Sequence, residues 1–320
     1  MASRFGTGDR HIGKVSGTAN AAQTQRWNGA SGRYWIEHRE RHLAEHQFLI
    51  PYLFRAAAIA SGERVLDVGC GCGHTTIMAA QAAFGMPKAA KGVRSLPQEE
   101  PGWPGVAVGL DLSGPMLNVA RRLAAQAGAA NAWFVQGDAQ ACPLRDNSID
   151  VLISNFGVMF FDDPYIAFTS LAAVMRPHGR LAFLCWQDDT RNEVFAIPLR
   201  ALSAHVQLPR MSVSDLFVDP RQITALLLGT GWDDVQVASV TEPAWLGANV
   251  DDVMDYIRGM PMIHNITASF NDPVHSESIL AGIAEEYRKR QHPDGIWVRA
   301  AAWLVTARRA LSAGGGRNPV

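Results

Sequence analysis

Two hydrophobic periods alternate along the chain. From Tyr34 to about Ile59 apolar positions recur at helical spacing, and Ser61-Gly62 breaks the run before an apolar strand, Arg64 to Gly69. The alternation then repeats: helix Thr75 to Phe84, strand Val106 to Asp111, helix Pro115 to Ala127, strand Ala132 to Gln136 and strand Ile149 to Ser154. Helix Pro164 to Met175 follows, then a Pro177-His178-Gly179 turn, strand Gly179 to Trp186, helix Arg221 to Leu228 and strand Asp233 to Val240, with a last strand from Ile296 to Ala307. Strands separated by helices of about 10 to 15 residues predict parallel βαβ units. The expected fold class is therefore α/β: a doubly wound, Rossmann-like, mostly parallel sheet with its ligand site at the carboxyl ends of the strands.

The departures from this rhythm define the expected organisation. Residues 1–25, rich in Gly, Ser, Thr and Ala, read as a mobile arm, and 26–60 as a helical lid. The sheet core is expected over 61–186 and again over 220–246, with its last strand in 294–311 and a glycine-rich tail over 312–320. Segment 85–105 lies between a helix and a strand, so chain direction puts it at the amino edge of the sheet as a surface loop. Segments 187–219 and 247–293 follow carboxyl strand ends, where a substrate cap is expected together with the N-terminal helix.

Composition narrows the partners. The chain has 320 residues, 48% of them hydrophobic, with 29 Lys and Arg against 30 Asp and Glu, a net charge of −1. There is no basic excess to neutralise a run of phosphates, so no nucleic-acid partner is expected. No stretch reaches the roughly 18 apolar residues of a membrane span, and the N-terminus lacks the apolar core of a secretory signal. Four cysteines (Cys70, Cys72, Cys142 and Cys185) are too few for a disulfide framework, and a cytoplasmic location is expected.

The densest chemistry lies in Asp67-Val68-Gly69-Cys70-Gly71-Cys72-Gly73, a strand-to-helix turn where glycines permit positive φ and close approach of a ligand. The spacing is G-x-G-x-G, where a dinucleotide fingerprint has G-x-G-x-x-G, and an acidic residue stands two positions before the first glycine. An ordinary tight turn or a dinucleotide site uses the same geometry. Cys70, Cys72 and His74 also spell C-x-C-x-H, but no second cluster stands at ligand spacing and no metal is expected.

With its glycine turn, this chain resembles the class I S-adenosylmethionine-dependent methyltransferases, and further matches follow in that family's order. They are Gly109-Leu110-Asp111-Leu112-Ser113 with Pro115-Met116-Leu117, Gln136-Gly137-Asp138-Ala139, Ser154-Asn155-Phe156-Gly157, and Leu171 to Leu181. The resemblance covers roughly residues 55–245. It implies seven strands with an antiparallel last one, and an enzyme that binds S-adenosylmethionine and releases S-adenosylhomocysteine. It places the cofactor on Asp67, Gly69, Cys70, Gly71, Asp111, Leu112, Met116, Asp138, Ala139 and Asn155. Asp111 would hold both ribose hydroxyls, since a carboxylate accepts two charge-assisted hydrogen bonds; Asp138 and Ala139 would hold the adenine. For Asp111 and Asp138 the plainer role is a helix N-cap, and the two roles are compatible. Trp186, Arg191-Asn192-Glu193, Pro198 and Gly231-Trp232 resemble the small-molecule branch related to the ubiquinone and menaquinone C-methyltransferases.

In-line methyl transfer needs alignment and a dry, aromatic, weakly polar site. Trp27, Tyr34, Phe156, Phe160 and Trp186 are the expected substrate-binding residues, although each could equally be core. The Met-rich run from Met254 to Ile263 suggests a hydrophobic small-molecule acceptor. His264, directly after that run in the expected cap, is the expected general base. His38, His42 and His46 share one helix face, but Arg39, Glu40, Arg41 and Glu45 among them read as a solvated surface. Two other classes stay open: a dehydrogenase, for which no Tyr-x-x-x-Lys is found, and a non-methylating protein that binds the same cofactor. A homodimer is compatible with the sequence and required by no residue.

Overall fold

The computed structural model describes residues 20–84, 105–203, 215–270 and 272–311. The arm up to residue 19, nearly all of the expected 85–105 loop, part of the 187–219 cap segment and the 312–320 tail lie outside the described residues.

The chain opens with four short helices: α1 (Ala21–Asn28), α2 (Ala30–Glu37), α3 (Arg39–His46) and α4 (Ile50–Ala57). One expected boundary is corrected here and one stretch is resolved more finely. The arm expected to reach residue 25 gives way to helix at Ala21, and the helical stretch expected from Tyr34 to about Ile59 is divided among α2, α3 and α4. The chain leaves helical geometry at His38 (φ −102°, ψ 15°), and Pro51, which lacks an N–H, starts α4 afresh at its first turn.

The core alternates as the apolar pattern predicts: β1 (Arg64–Val68), α5 (His74–Phe84), β2 (Val106–Asp111), α6 (Gly114–Gln126), β3 (Ala132–Gln136), β4 (Ile149–Asn155), α7 (Pro164–Val174) and β5 (Met175–Trp186). β1 is buried at every residue after Arg64, as a central strand covered on both faces must be. The turn expected before β5 is absorbed into the strand. His178 takes φ +61°, and an irregularity between Ile149 and Val151 shifts the register so that Ile149 pairs with Met175 and Val151 with Arg180.

Beyond β5 come α8 (Glu193–Ser203), α9 (Pro220–Gly229), β6 (Trp232–Gly247), α10 (Val250–Gly259), α11 (Pro261–Ser269), α12 (Pro273–Arg288), β7 (Gln291–His292) and β8 (Gly295–Arg309). The sheet order is β3-β2-β1-β4-β5-β8-β6, with β7 paired to β8. β1 to β5 pair in parallel and β8 runs antiparallel between β5 and β6. Among the described residues the two-residue β7 brings the strand count to eight where seven were expected. The order reverses between β1 and β4, so their carboxyl ends open the crevice in which such sheets bind ligands.

Trp232 anchors the far side. It is fully buried at the start of β6, and its indole N–H donates to the Phe168 carbonyl of α7 at 3.1 Å. Truncating such a side chain leaves a cavity that the sheet and α7 are too closely packed to fill. Trp232→Ala should cost about 3–5 kcal/mol in urea denaturation, and Trp232→Phe about 1 kcal/mol from the lost hydrogen bond.

Candidate active site

A cleft of about 1180 Å³, counting its open mouth, lies at the carboxyl ends of β1, β2 and β4 and is roofed by α1, α2 and α3. Its floor is the glycine turn. Gly69 has φ +67°, and a Cβ there would stand 2.7 Å from the Cα of Gly157 on the loop after β4. Only glycine allows these two backbones to approach so closely.

Asp111, at the end of β2, joins that turn to the start of α6. Its carboxylate accepts from the Gly71 N–H at 2.8 Å through Oδ2 and from the Ser113 N–H at 2.8 Å through Oδ1. Burial pushes its pKa above the ordinary carboxylate value, against the pull of the Ser113, Gly71 and Leu112 amides. The side chain keeps part of its surface in the cleft, so it retains room to accept from a ligand.

Asp67 is placed differently from expectation. It is fully buried beneath the turn and is absent from the cleft lining. Its Oδ2 accepts from the Thr75 and Thr76 hydroxyls at 2.7 and 2.6 Å, tying β1 to the first turn of α5, while Oδ1 has no partner. It therefore shapes the cradle from behind. Burial raises it to about 6, with the two threonines opposing and the Asp111 charge adding.

Asp138 caps a short helical turn by accepting from the Gln140 N–H at 2.9 Å, and its other oxygen accepts from Asn20 Nδ2 at 2.9 Å. The expected N-cap role is met, and Asn20, which sequence reasoning passed over, bridges the start of α1 to this loop. The same roof is fastened at a second place. Asn28 Nδ2 donates to the Leu112 carbonyl at 3.0 Å, the Gly114 N–H donates to Asn28 Oδ1, and the Ser113 hydroxyl donates to the Trp27 carbonyl. The lid thus docks on the loop that carries Asp111.

Gly69, Cys70, Gly71, Asp111, Leu112, Met116, Asp138, Ala139 and Asn155 are all brought to the cleft, and the buried Asn155 Oδ1 has no partner. Burial pushes the Cys72 thiol up to about 11 and Cys70 well above its usual value, so both stay neutral. Of the aromatic residues, Trp27, Phe156 and Phe160 line the cleft, with Trp27 edge-on to Phe160 at 4.8 Å. Phe156 takes φ +63°, a left-handed conformation that is strained for a bulky residue, and this holds its ring stacked on Trp186 at 4.0 Å. Trp186 supports Phe156 from outside the lining. Tyr34 also lies outside it, and its hydroxyl donates to the Tyr256 carbonyl of α10.

His264 is not brought to the site: it is exposed on α11 and does not line the cleft. Met254 and Ile263 are buried in the hydrophobic core. The histidine row read as a solvated face is instead largely internal. His42, Glu45 and His46 are 8%, 3% and 5% exposed, and His42 and His46 line the cleft with Trp35 and Arg39. Charged neighbours hid this in the sequence. The available signal was that the histidine spacing continues the aromatic pair Tyr34-Trp35 onto one inner surface.

An open α/β sheet with one antiparallel strand and an acidic residue closing a glycine turn at the switch point defines a nucleotide-type ligand site of the class I methyltransferase fold. A family model described as "Methyltransferase domain" matches residues 59–211. The chain is 32% identical over 127 residues to demethylmenaquinone methyltransferase of Lactiplantibacillus plantarum, covering 39% of this chain and 46% of that protein. It is 26% identical over 270 residues to malonyl-[acyl-carrier protein] O-methyltransferase of Methylovorus sp., covering 79% of each. Among solved structures, the YcgJ protein of Bacillus subtilis matches with a TM-score of 0.53 at 18% identity, over 83% of this chain and 100% of that one, a likeness of fold. The chain spans less than half the length of the first of these relatives. Among the described residues no helix is long and apolar enough to cross a membrane.

The position of Asp67 generates a pH test. Its folded value is raised from 3.8 to about 6, so the folded protein holds a proton that the unfolded chain gives up in that interval. Its contribution to stability is present below about pH 4 and is lost as pH rises towards 6. Asp67→Asn keeps an acceptor for the threonines and removes the titration. In urea melts the variant should gain on wild type by up to about 3 kcal/mol between pH 4 and pH 7; parallel stability curves would contradict this.

Proposed function

We propose that this protein is an S-adenosylmethionine-dependent methyltransferase that methylates carbon or oxygen of a hydrophobic small molecule. The observation that carries the reading is the Asp111 carboxylate. It is fixed by the Gly71 and Ser113 amides at the lip of the cleft and stands opposite an aromatic wall made by Trp27, Phe156 and Phe160. The residues present suit the cofactor. Asp111 retains acceptor capacity for vicinal hydroxyls, the glycine floor admits a close backbone approach, the buried Asn155 Oδ1 lacks a partner, and aromatic faces attract a cation. Bound there, S-adenosylmethionine supplies an electrophilic methyl group on a sulfonium centre.

The roles proposed for the chain's own side chains follow from their placement. Asp111 holds the ribose, and Leu112 and Met116 pack beside it. Asp138 and Ala139 take the adenine edge, the Asp138 carboxylate being shared with Asn20. The turn Gly69-Cys70-Gly71 and Asn155 take the amino-acid end, with Asp67 fixing the turn from beneath. The lid of α1 to α3 excludes water, and α10 backs that lid from outside the cleft through Tyr256 and Asp252. The names of the relatives give acceptors as unlike as demethylmenaquinone and malonyl-acyl carrier protein, which supports the class of reaction and leaves the acceptor to this chain's own cleft. A cytoplasmic setting belongs to the same proposal, in keeping with four free cysteines.

Calorimetric titration with S-adenosylhomocysteine tests the reading. Wild type should bind, and Asp111→Ala, losing two charge-assisted bonds, should bind about 100-fold more weakly while keeping its far-ultraviolet circular dichroism. Equal affinity of the two proteins, or binding of NAD in place of the adenosyl ligand, would refute it.

A further inference from the structure

The first helix of the roof is held to the body of the protein at its two ends. No residue of α1 is buried, so removal of apolar surface from water contributes little to keeping it in place. At its carboxyl end three hydrogen bonds fasten it to the loop after β2. The Ser113 hydroxyl donates to the Trp27 carbonyl at 2.8 Å, Asn28 Nδ2 donates to the Leu112 carbonyl at 3.0 Å, and the Gly114 N–H donates to Asn28 Oδ1 at 3.1 Å. At its amino end one is found among the described residues, from Asn20 Nδ2 to Asp138 Oδ2 at 2.9 Å on the loop after β3.

These two loops are the ones assigned above to the nucleoside: the first carries Asp111, proposed for the ribose, and the second carries Asp138 and Ala139, proposed for the adenine. The eight residues of α1 span about 12 Å at about 1.5 Å per residue. The helix therefore runs from the adenine loop to the ribose loop, and Asn20 and Trp27, towards its two ends, both line the cleft. The ends are unequally held. One hydrogen bond of ordinary net strength changes an equilibrium about 5-fold, so the amino end releases far more readily than the carboxyl end, where the Trp27 ring also packs on Phe160. Seating Asn20 carries a cost of its own, because its Oδ1 becomes buried with no partner. Asn20 also stands at φ +64°, in the left-handed region that asparagine tolerates better than most residues.

We propose that α1 is a strap across the nucleoside subsite with Asn20 as its latch, and that the adenosyl cofactor enters and leaves only while the latch is released from Asp138. The inference rests on the methyltransferase reading and adds to it the route and timing of cofactor exchange. Asn20 is a positioning residue, acting on the ligand through Asp138 and α1. An ionised carboxylate offers about four acceptor sites. Asp138 uses one for the Gln140 N–H and one for Asn20, which leaves capacity for the adenine amine while the latch is closed. The strap is then closed in the free and in the loaded protein alike. Each turnover of the proposed reaction consumes one S-adenosylmethionine, so the strap opens once or more in every cycle.

A latch of this kind has a kinetic signature. A contact made equally with and without the ligand shifts no binding equilibrium. It does set the fraction of time for which the strap is open, and entry and release both scale with that fraction. Weakening the latch therefore speeds entry and release by the same factor and leaves affinity unchanged. A side chain that only touched the cofactor, or only supported the shape of its site, would change release and affinity together and leave entry as it was.

The test uses the full chain with S-adenosylhomocysteine as probe. Entry and release rates come from stopped-flow tryptophan fluorescence, to which Trp27 in the cleft wall contributes, and affinity from calorimetry. Asn20→Gly keeps the left-handed backbone and removes the amide. It should raise both rates about 5-fold and leave affinity within about 2-fold of wild type. Asn20→Asp sets two carboxylates against each other and should raise both rates further, with the excess shrinking in high salt. Unchanged rates in Asn20→Gly, or faster release alone with affinity falling in proportion, would overturn the proposal, and so would Asn20→Asp being no faster than wild type. Either variant decides alone if the other fails to fold. Failure of wild type to bind S-adenosylhomocysteine would instead overturn the methyltransferase reading itself.

Discussion

The site depends on one carboxylate held by two loops. Asp111 accepts from Gly71 on the turn after β1 and from Ser113 on the turn after β2, so two strand ends that pair in parallel are locked together just where their chains diverge. Gly71 can present its N–H there because the turn is held from beneath by Asp67 through Thr75 and Thr76. Ser113 is engaged twice, capping α6 through the Met116 amide and donating to the Trp27 carbonyl of the lid. Cradle, first helix and roof therefore share a single connected set of hydrogen bonds. In such a network loss of one member is felt by the others.

Much of this was legible in the chain, and the reasons are local. β1 to β4 are short apolar runs bounded by glycine or asparagine, and the helices after them begin at Ser113-Gly114-Pro115 and Asp163-Pro164, where an N-cap and a proline fix the boundary. The cradle was legible because spacing around glycine is a backbone requirement. The strand from Met175 was not, because its first residues join the sheet only through the irregularity between Ile149 and Val151, which pairs Ile149 with Met175 and Val151 with Arg180. The direction in which Asp67 points was also hidden: alternation along β1 says nothing about which buried side lies beneath the ligand.

The histidines show the deeper limit. A helix carrying Arg39, Glu40, Arg41, His42, Glu45 and His46 has the composition of a surface, and its burial is created by two other parts of the chain that close over it. Arg41 reaches Asp252 and the Leu246 carbonyl, satisfying its charge against α10 and the end of β6, while Tyr256 supplies a hydroxyl to His42. Sequence distance between these partners exceeds 200 residues. No window along the chain can register a compensation supplied from so far away.

The same closure explains why the roof is polar at its centre. Folding alone would favour apolar residues at the positions of His42, Glu45 and His46, because burying Glu45 carries a desolvation cost that hydrogen bonds only offset. Glu45 is nonetheless kept, buried behind the lining, while His42 and His46 of the same helix reach the cleft. The floor, in contrast, is neutral backbone and Asp111. On the proposed reading the strand ends carry the groups that hold the cofactor, Asp111 and the glycine turn, while the helical lid brings His42, His46, Trp27 and Trp35 to the cleft from the other side.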